Sequence, residues 1–190
     1  MVKSGSIAVL LMAFLFGSGD FLKTERGFVA GRTNVTEQCS MLDPCKVDDW
    51  YKVGSVCVKY FNNSLNFTEA EFSCRAEAPG AHLVSVLNKE HNDELLCFVR
   101  RFNPKNLRIW LGAFEFFKSG QFIWLDGSRW DYDNWNIGQP SNLYTNTEEC
   151  VEMNWNETGK WNDRGCNNKE NYICAFKLNG ILKPGSEEME

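Results

Sequence analysis

Between Trp135 and Cys166 the chain gathers oxygen-bearing side chains at close spacing. Gln139 and Ser141 flank Pro140, Glu148 and Glu149 precede Cys150, and Asn162 and Asp163 follow Trp161. Carboxylate and amide oxygens are the ligands that a hard cation such as calcium takes, usually about six to eight of them. The candidate ligands are therefore Gln139, Ser141, Glu148, Asn162 and Asp163, and the stretch reads as a calcium site or the remnant of one. If residues 151–155 and 160–165 pair as a hairpin, its turn falls near Asn156–Gly159. Glu148 then enters at the open end, where Asn162 and Asp163 are expected too. Asn156 sits at the closed end, so a glycan there leaves the site clear.

Other reactive side chains are scattered. His82 and His91 have no nucleophile beside them and no Cys–His zinc spacing. Glu148 and Glu149 are adjacent in sequence, which does not make a facing acid–base pair. No enzyme is expected.

The elements that must position the site follow from pattern. The Cys45–Cys57 stretch, with Gly54-Ser55 inside it, reads as strand, turn and strand, and Val56, Val58 and Tyr60 continue the second strand. Thr68-x-x-Glu71 predicts a capping box opening a helix with an apolar side of Ala70, Phe72, Cys74 and Ala78, ended by Pro79-Gly80. Residues 81–86 form an extended link. A second helix runs from an Asn88 cap to Phe102, with Leu95, Leu96, Val99 and Phe102 as its stripe and Pro104 as its stop. Ile109–Ala113 and Gln121–Leu125 read as buried strands, the second turning at Asp126-Gly127. Trp110, Phe114 and Trp124 are expected in the core, with Phe116-Phe117 partly exposed and available to a partner. Residues 128–149 are irregular, and a loop of that length inside a compact domain is usually functional. Strands return at 151–155, 160–165 and 171–176.

Composition bounds the whole. The 190 residues suffice for one domain with flanking sequence. Residues 1–19 have the form of a secretory signal: Lys3, an apolar run from Ile7 to Phe16, then Gly17-Ser18-Gly19. That run is too short to span a membrane. Residues 20–38 read as a flexible arm, and 178–190 as an acidic tail. The net charge of −5 becomes −6 if Lys3 is removed with the signal. No basic tract is present, which argues against nucleic acid. Eight cysteines in a secreted chain imply a disulfide framework. Four sequons, at Asn34, Asn62, Asn66 and Asn156, agree with a secreted glycoprotein.

Taken in order, these landmarks resemble the C-type lectin-like domain over about residues 39–177. The marks are Cys45 with Cys57, the helix carrying Cys74, Trp110-Leu111-Gly112-Ala113, Trp124 with Asp126-Gly127, Trp135, Gln139-Pro140-Ser141, Cys150, Trp161-Asn162-Asp163, Cys166 and Cys174. The resemblance is to the long form of the family, and extends to secreted fish lectins of galactose type and to type II antifreeze proteins. It implies an α+β fold in which two helices flank small antiparallel sheets, with a long irregular ligand-binding loop and disulfide staples. It also implies the bridges Cys45–Cys57, Cys74–Cys174 and Cys150–Cys166. Cys39 and Cys97 remain; they pair with each other, or link chains into an oligomer, or leave Cys97 a buried free thiol.

The same resemblance implies a site. Family members that bind sugar use Glu-Pro-Asn or Gln-Pro-Asp, a later Glu and the Asn-Asp pair, here Gln139, Ser141, Glu148, Asn162 and Asp163. These residues would hold calcium and hydrogen-bond the vicinal hydroxyls of a sugar, with a cis bond before Pro140. Gln139 matches the galactose-type arrangement, which implies glycans with terminal galactose-type sugars as partners, and Tyr144 is the nearest ring to stack on one. Ser141 departs from the pattern. It supplies a short neutral hydroxyl where Asp or Asn is usual, so calcium binding is expected to be weaker than standard or lost. Two readings stand: a calcium-assisted lectin, with innate defence as a family expectation, and a degenerate domain that binds ice or protein.

Overall fold

Stretches that alternate or run apolar become strands, and two stretches with apolar residues at helical spacing become helices. The computed structural model describes residues 43–141 and 148–178, with the side chain of Glu148 left out. In chain order the elements are β1 (Tyr51–Val53), β2 (Val56–Leu65), α1 (Phe67–Glu77), β3 (His82–Leu83), α2 (Lys89–Phe102), β4 (Ile109–Glu115), β5 (Phe122–Trp124), β6 (Glu148–Met153), β7 (Trp161–Gly165) and β8 (Glu170–Lys177). The expected α+β architecture with two helices is present among the described residues. The strands join in one sheet, however, in the order β1-β2-β8-β4-β6-β7, with β3 beside β8 and β5 beside β4. Only the β4–β8 pairing among these is parallel.

Three disulfides hold the sheet and α1 together as expected: Cys45–Cys57, Cys74–Cys174 and Cys150–Cys166. Cys74–Cys174 ties α1 to β8 across 100 residues. Cys97 also carries a disulfide, so it is not a free thiol. Cys39 lies outside the described residues, as do Asn34, Tyr144 and the 1–38 segment.

Each helix departs from expectation in an instructive way. The N-cap of α1 is Asn66: its side chain accepts from Glu69 N–H at 2.8 Å, and Glu69 reaches back to Asn66 N–H at 3.2 Å. The capping box is thus Asn66–Glu69, two residues before Thr68–Glu71. Glu71 is buried instead, where it accepts from Leu83 N–H at 2.9 Å and pairs with His82 Nδ1 at 2.7 Å. The buried residues of α1 are Phe67, Ala70, Glu71 and Cys74, and Phe72, expected on the apolar side, is 62% exposed. In α2 the Asn88 cap is where it was expected, accepting from His91 N–H. Its buried face is His91, Asn92, Leu95, Phe98 and Val99, while Leu96 and Phe102 lie at the margin.

Two clusters fill the interior. One packs Val58, Val84, Leu95, Phe98, Leu111, Trp124, Met153 and Trp161 between α2 and the sheet; the other packs Trp50, Phe67, Cys74, Trp110 and Tyr172 under α1. Gly112 allows β4 to meet the β3 segment closely: a Cβ there would stand 2.3 Å from the Leu83 carbonyl oxygen. Among the described residues no helix is long and apolar enough to cross a membrane.

Candidate functional site

The irregular 128–141 segment is held by aromatic packing, although it contains little regular secondary structure. Trp130 and Trp135 both lie against Trp161, with ring centroids at 5.9 and 6.1 Å, and Tyr132 meets Trp161 edge-on. Trp161 is fully buried, and its indole N–H donates to Asn92 of α2 at 3.1 Å. Trp130, Tyr132 and Trp135 are therefore the clamp that fixes this segment.

From that clamp a single asparagine builds the turn that carries the triplet. Asn136 is buried; its N–H donates to Trp161 O at 2.9 Å and its Nδ2 to Trp155 O at 3.0 Å. Its Oδ1 accepts from Ile137 N–H, and its carbonyl from Gln139 N–H at 3.0 Å. The Gln139–Pro140 bond is cis, as the resemblance implied. Ser141 then donates its backbone N–H to Asp163 Oδ1 at 2.9 Å. Sequence reasoning missed Asn136, although its place directly after Trp135 was a usable signal.

The β6–β7 hairpin carries the remaining candidates. Its register pairs Glu148 with Gly165, Val151 with Asp163, Glu152 with Asn162 and Met153 with Trp161. Asn162 therefore lies toward the closed end of the ladder, which corrects the expectation that it shares the open end with Glu148, while Asp163 lies at mid-strand, two residues from the partner of Glu148. Five residues on β7 leave only Trp161 between Asn162 and the turn. That turn uses left-handed backbone at Asn154, Asn156 and Gly159, and Asn156 is exposed there as expected.

Asp163 is fully buried and Asn162 nearly so. The Asn162 Nδ2 donates to Glu152 Oε1 at 2.9 Å. Glu152 is itself fully buried, with Arg108 at 3.5 Å and Arg164 at 3.6 Å. Burial pushes its carboxyl up to about 7, against the opposing pull of the Asn162 hydrogen bond and the two guanidiniums. This buried acid was also missed from sequence; its polar side chain between Val151 and Met153 was the signal.

Gln139 tests whether the set suits a cation. Among the described residues its Oε1 is buried and finds no hydrogen-bond partner. A buried amide oxygen left unsatisfied costs about 1–3 kcal/mol, which a cation ligand would offset. An amide oxygen is a ligand type that calcium takes, although no cluster of three or more His, Cys, Asp or Glu side chains that could hold a metal occurs among the described residues. The structure thus links Ser141 to Asp163 and Asn162 to Glu152, and buries Gln139 Oε1 without a hydrogen-bond partner among the described residues. Tyr144 and the Glu148 side chain are outside the described residues.

Comparison with known proteins gives a consistent result. The family model described as Lectin C-type domain matches residues 63–176. A lectin of Pleurodeles waltl is 34% identical over 140 residues, covering 74% of this chain and 77% of that protein. A protein named C-type lectin mannose-binding isoform, from Oxyuranus scutellatus, is 32% identical over 162 residues, covering 84% and 99%. Among solved structures, the C-type lectin CEL-I from Cucumaria echinata superposes with TM-score 0.64 at 27% identity, covering 70% of this chain and 97% of that one. Herring type II antifreeze protein superposes with TM-score 0.61 at 29% identity, covering 70% and 99%.

Proposed function

The chain belongs to the C-type lectin domain family, and from that premise we propose that it is a secreted, non-enzymatic lectin that binds galactose-terminated glycans with the help of calcium. Gln139, Asp163 and Asn162 would hold the ion, joined by Glu148 and, more weakly, by Ser141. The single observation that carries this reading is the buried, unpartnered Oε1 of Gln139 on the same short segment that Ser141 ties to Asp163. Calcium held there would supply a Lewis-acid centre for sugar hydroxyls, and the side chains of Gln139, Asn162, Asp163 and Glu148 would hydrogen-bond those hydroxyls. Galactose preference rests on Gln139 at the first triplet position, and Tyr144 is the proposed ring on the sugar's apolar face.

Secretion and glycosylation belong to the same proposal. Residues 1–19 act as the signal, 20–38 as an arm, 39–177 as the lectin domain and 178–190 as the tail. The disulfides suit an oxidising compartment. A role in innate defence follows only if the glycans bound are foreign ones. Nucleic acid and membrane are not proposed as partners. Gels run with and without reductant test for a covalent oligomer, which the disulfide already carried by Cys97 does not call for.

The competing reading is a calcium-free ice-binding or protein-binding domain, favoured by the likeness to the herring antifreeze protein and by Ser141. One experiment separates the two. The protein is passed over galactose and mannose resins with calcium and then with chelator. The proposal expects retention on galactose and release by chelator. Retention on neither resin, with measurable thermal hysteresis, would favour the ice-binding reading.

A further inference from the structure

The β4–β5 hairpin displays an aromatic pair to solvent. Phe116 is 43% exposed and Phe117 is 85% exposed, and their rings meet edge to face at 4.5 Å. Phe117 and Lys118 both have left-handed backbone, with φ of 49° and 56°. For a bulky residue that conformation is a genuine outlier, and such strain persists only where the surroundings over-determine it. Here they do. Phe116 N–H donates to Gln121 O, Gly120 N–H to the buried Glu115 carboxylate at 2.6 Å, and Ser119 N–H to Phe116 O. The tip is a stiff platform whose most exposed residue is a phenyl ring, and neither the core nor the proposed calcium site uses it.

Position suggests what it is for. Phe114 of β4 is opposite Cys150 of β6, so the strand continues toward the Glu148–Glu149 end of that ladder. Lys118 Nζ stands 3.8 Å from Glu149 Oε1. The ring pair therefore flanks the start of the strand on which Glu148, a proposed calcium ligand, lies.

Size and chemistry narrow the occupant. A protein partner needs roughly 800 Å² per side, far more than two rings. Around the rings Lys118, Ser119, Gly120 and Gln121 are all exposed and polar or small. An apolar ring rimmed by hydrogen-bonding groups matches a pyranose, which has a C–H face and a hydroxyl edge. We infer that Phe117, supported by Phe116, forms an extended subsite that stacks on an inner sugar ring of an oligosaccharide whose terminal residue sits at the Gln139–Asp163 site. This inference rests on the lectin reading above and adds an oligosaccharide as the substrate class.

The test compares galactose with the galactose-terminated tetrasaccharide lacto-N-neotetraose by calorimetry in calcium. The parent protein should bind the tetrasaccharide about 3- to 10-fold more tightly than galactose, the range expected for one aromatic contact. Phe117→Ala should bring that ratio close to one, and Phe117→Trp should keep it. Phe117→Gly relieves the left-handed backbone, so it should fold at least as stably and still lose the ratio. A parent ratio of one, or a ratio that survives Phe117→Ala, overturns the inference and leaves the lectin reading standing. A parent that binds no galactose overturns both. Tetrasaccharide preference of one, combined with Phe117-dependent sedimentation on phosphatidylcholine vesicles, would assign the rings to a lipid surface instead.

Discussion

The backbone N–H of Ser141 donates to the carboxylate of Asp163 across 2.9 Å, and this bond couples the long loop to the β6–β7 hairpin. The donor is main chain, so changing the side chain at 141 leaves the coupling in place.

Ser141→Asp adds a carboxylate at the position where the sugar-binding family members carry Asp or Asn. Calcium affinity follows the charge and number of ligands, so the substitution should tighten calcium by about tenfold. Calorimetry with calcium alone measures it. An unchanged affinity would mean that the loop does not fold as a metal site.

Glu152 makes stability depend on pH in a direction that can be worked out. Its folded-state carboxyl is raised to about 7 from an ordinary value of 4.5, chiefly by burial. Between those two values the folded protein holds more protons than the unfolded chain, so this group favours folding at low pH and loses that contribution as pH rises through 7. The change is on the order of 3 kcal/mol across the window. His91 opposes it: burial lowers its value, so its contribution is full above its ordinary value and is lost as pH falls below. Glu152→Gln should flatten the Glu152 part, which is read as the difference in unfolding free energy between parent and variant from pH 5 to 8, in chelator. The groups facing residue 152 are Arg108, Arg164, Glu170 and Asn162, and all stay in place. A difference independent of pH would contradict the assignment.

Gly112→Ala should cost about 2–3 kcal/mol, because its Cβ would sit 2.3 Å from the Leu83 carbonyl oxygen and the backbone must move. Urea unfolding at constant pH measures the loss. The same change at Gly120, where no atom lies within 4 Å of an added Cβ, meets no clash and costs only what its left-handed backbone imposes.

Asn66 has two possible duties, cap and glycan acceptor, and they can be separated. Asn66→Ala removes the cap and should lower stability by about 1 kcal/mol in unglycosylated protein. Thr68→Ala destroys the sequon and leaves the Asn66–Glu69 box intact, so in the same protein it should cost less. Equal losses would show that the box contributes little.

Much of this molecule was legible in the chain itself. The landmark order implied the disulfide pairing that the structure contains. The Asn88 cap, the α2 boundaries, the β4 strand and the cis bond before Pro140 were also as expected. The cap and the helix and strand bounds are local signals, written in side chains that act on their own backbone, whereas the disulfide pairing and the cis bond were implied by the resemblance. The misreadings came where a distant partner decided. Asn66 rather than Thr68 opens α1, since Glu71 is taken by His82 and Leu83 and is not available to a capping box. Phe67 rather than Phe72 faces inward, because Trp110 meets Phe67 at 5.7 Å. The pairing of Asn162 with Glu152 depends on which residues form the turn, and the left-handed Asn154, Asn156 and Gly159 set that. Side-chain identity alone determined which chemistry is available at Gln139, Ser141 and Asp163. Only the packed fold decided which oxygens are buried and which are already bonded.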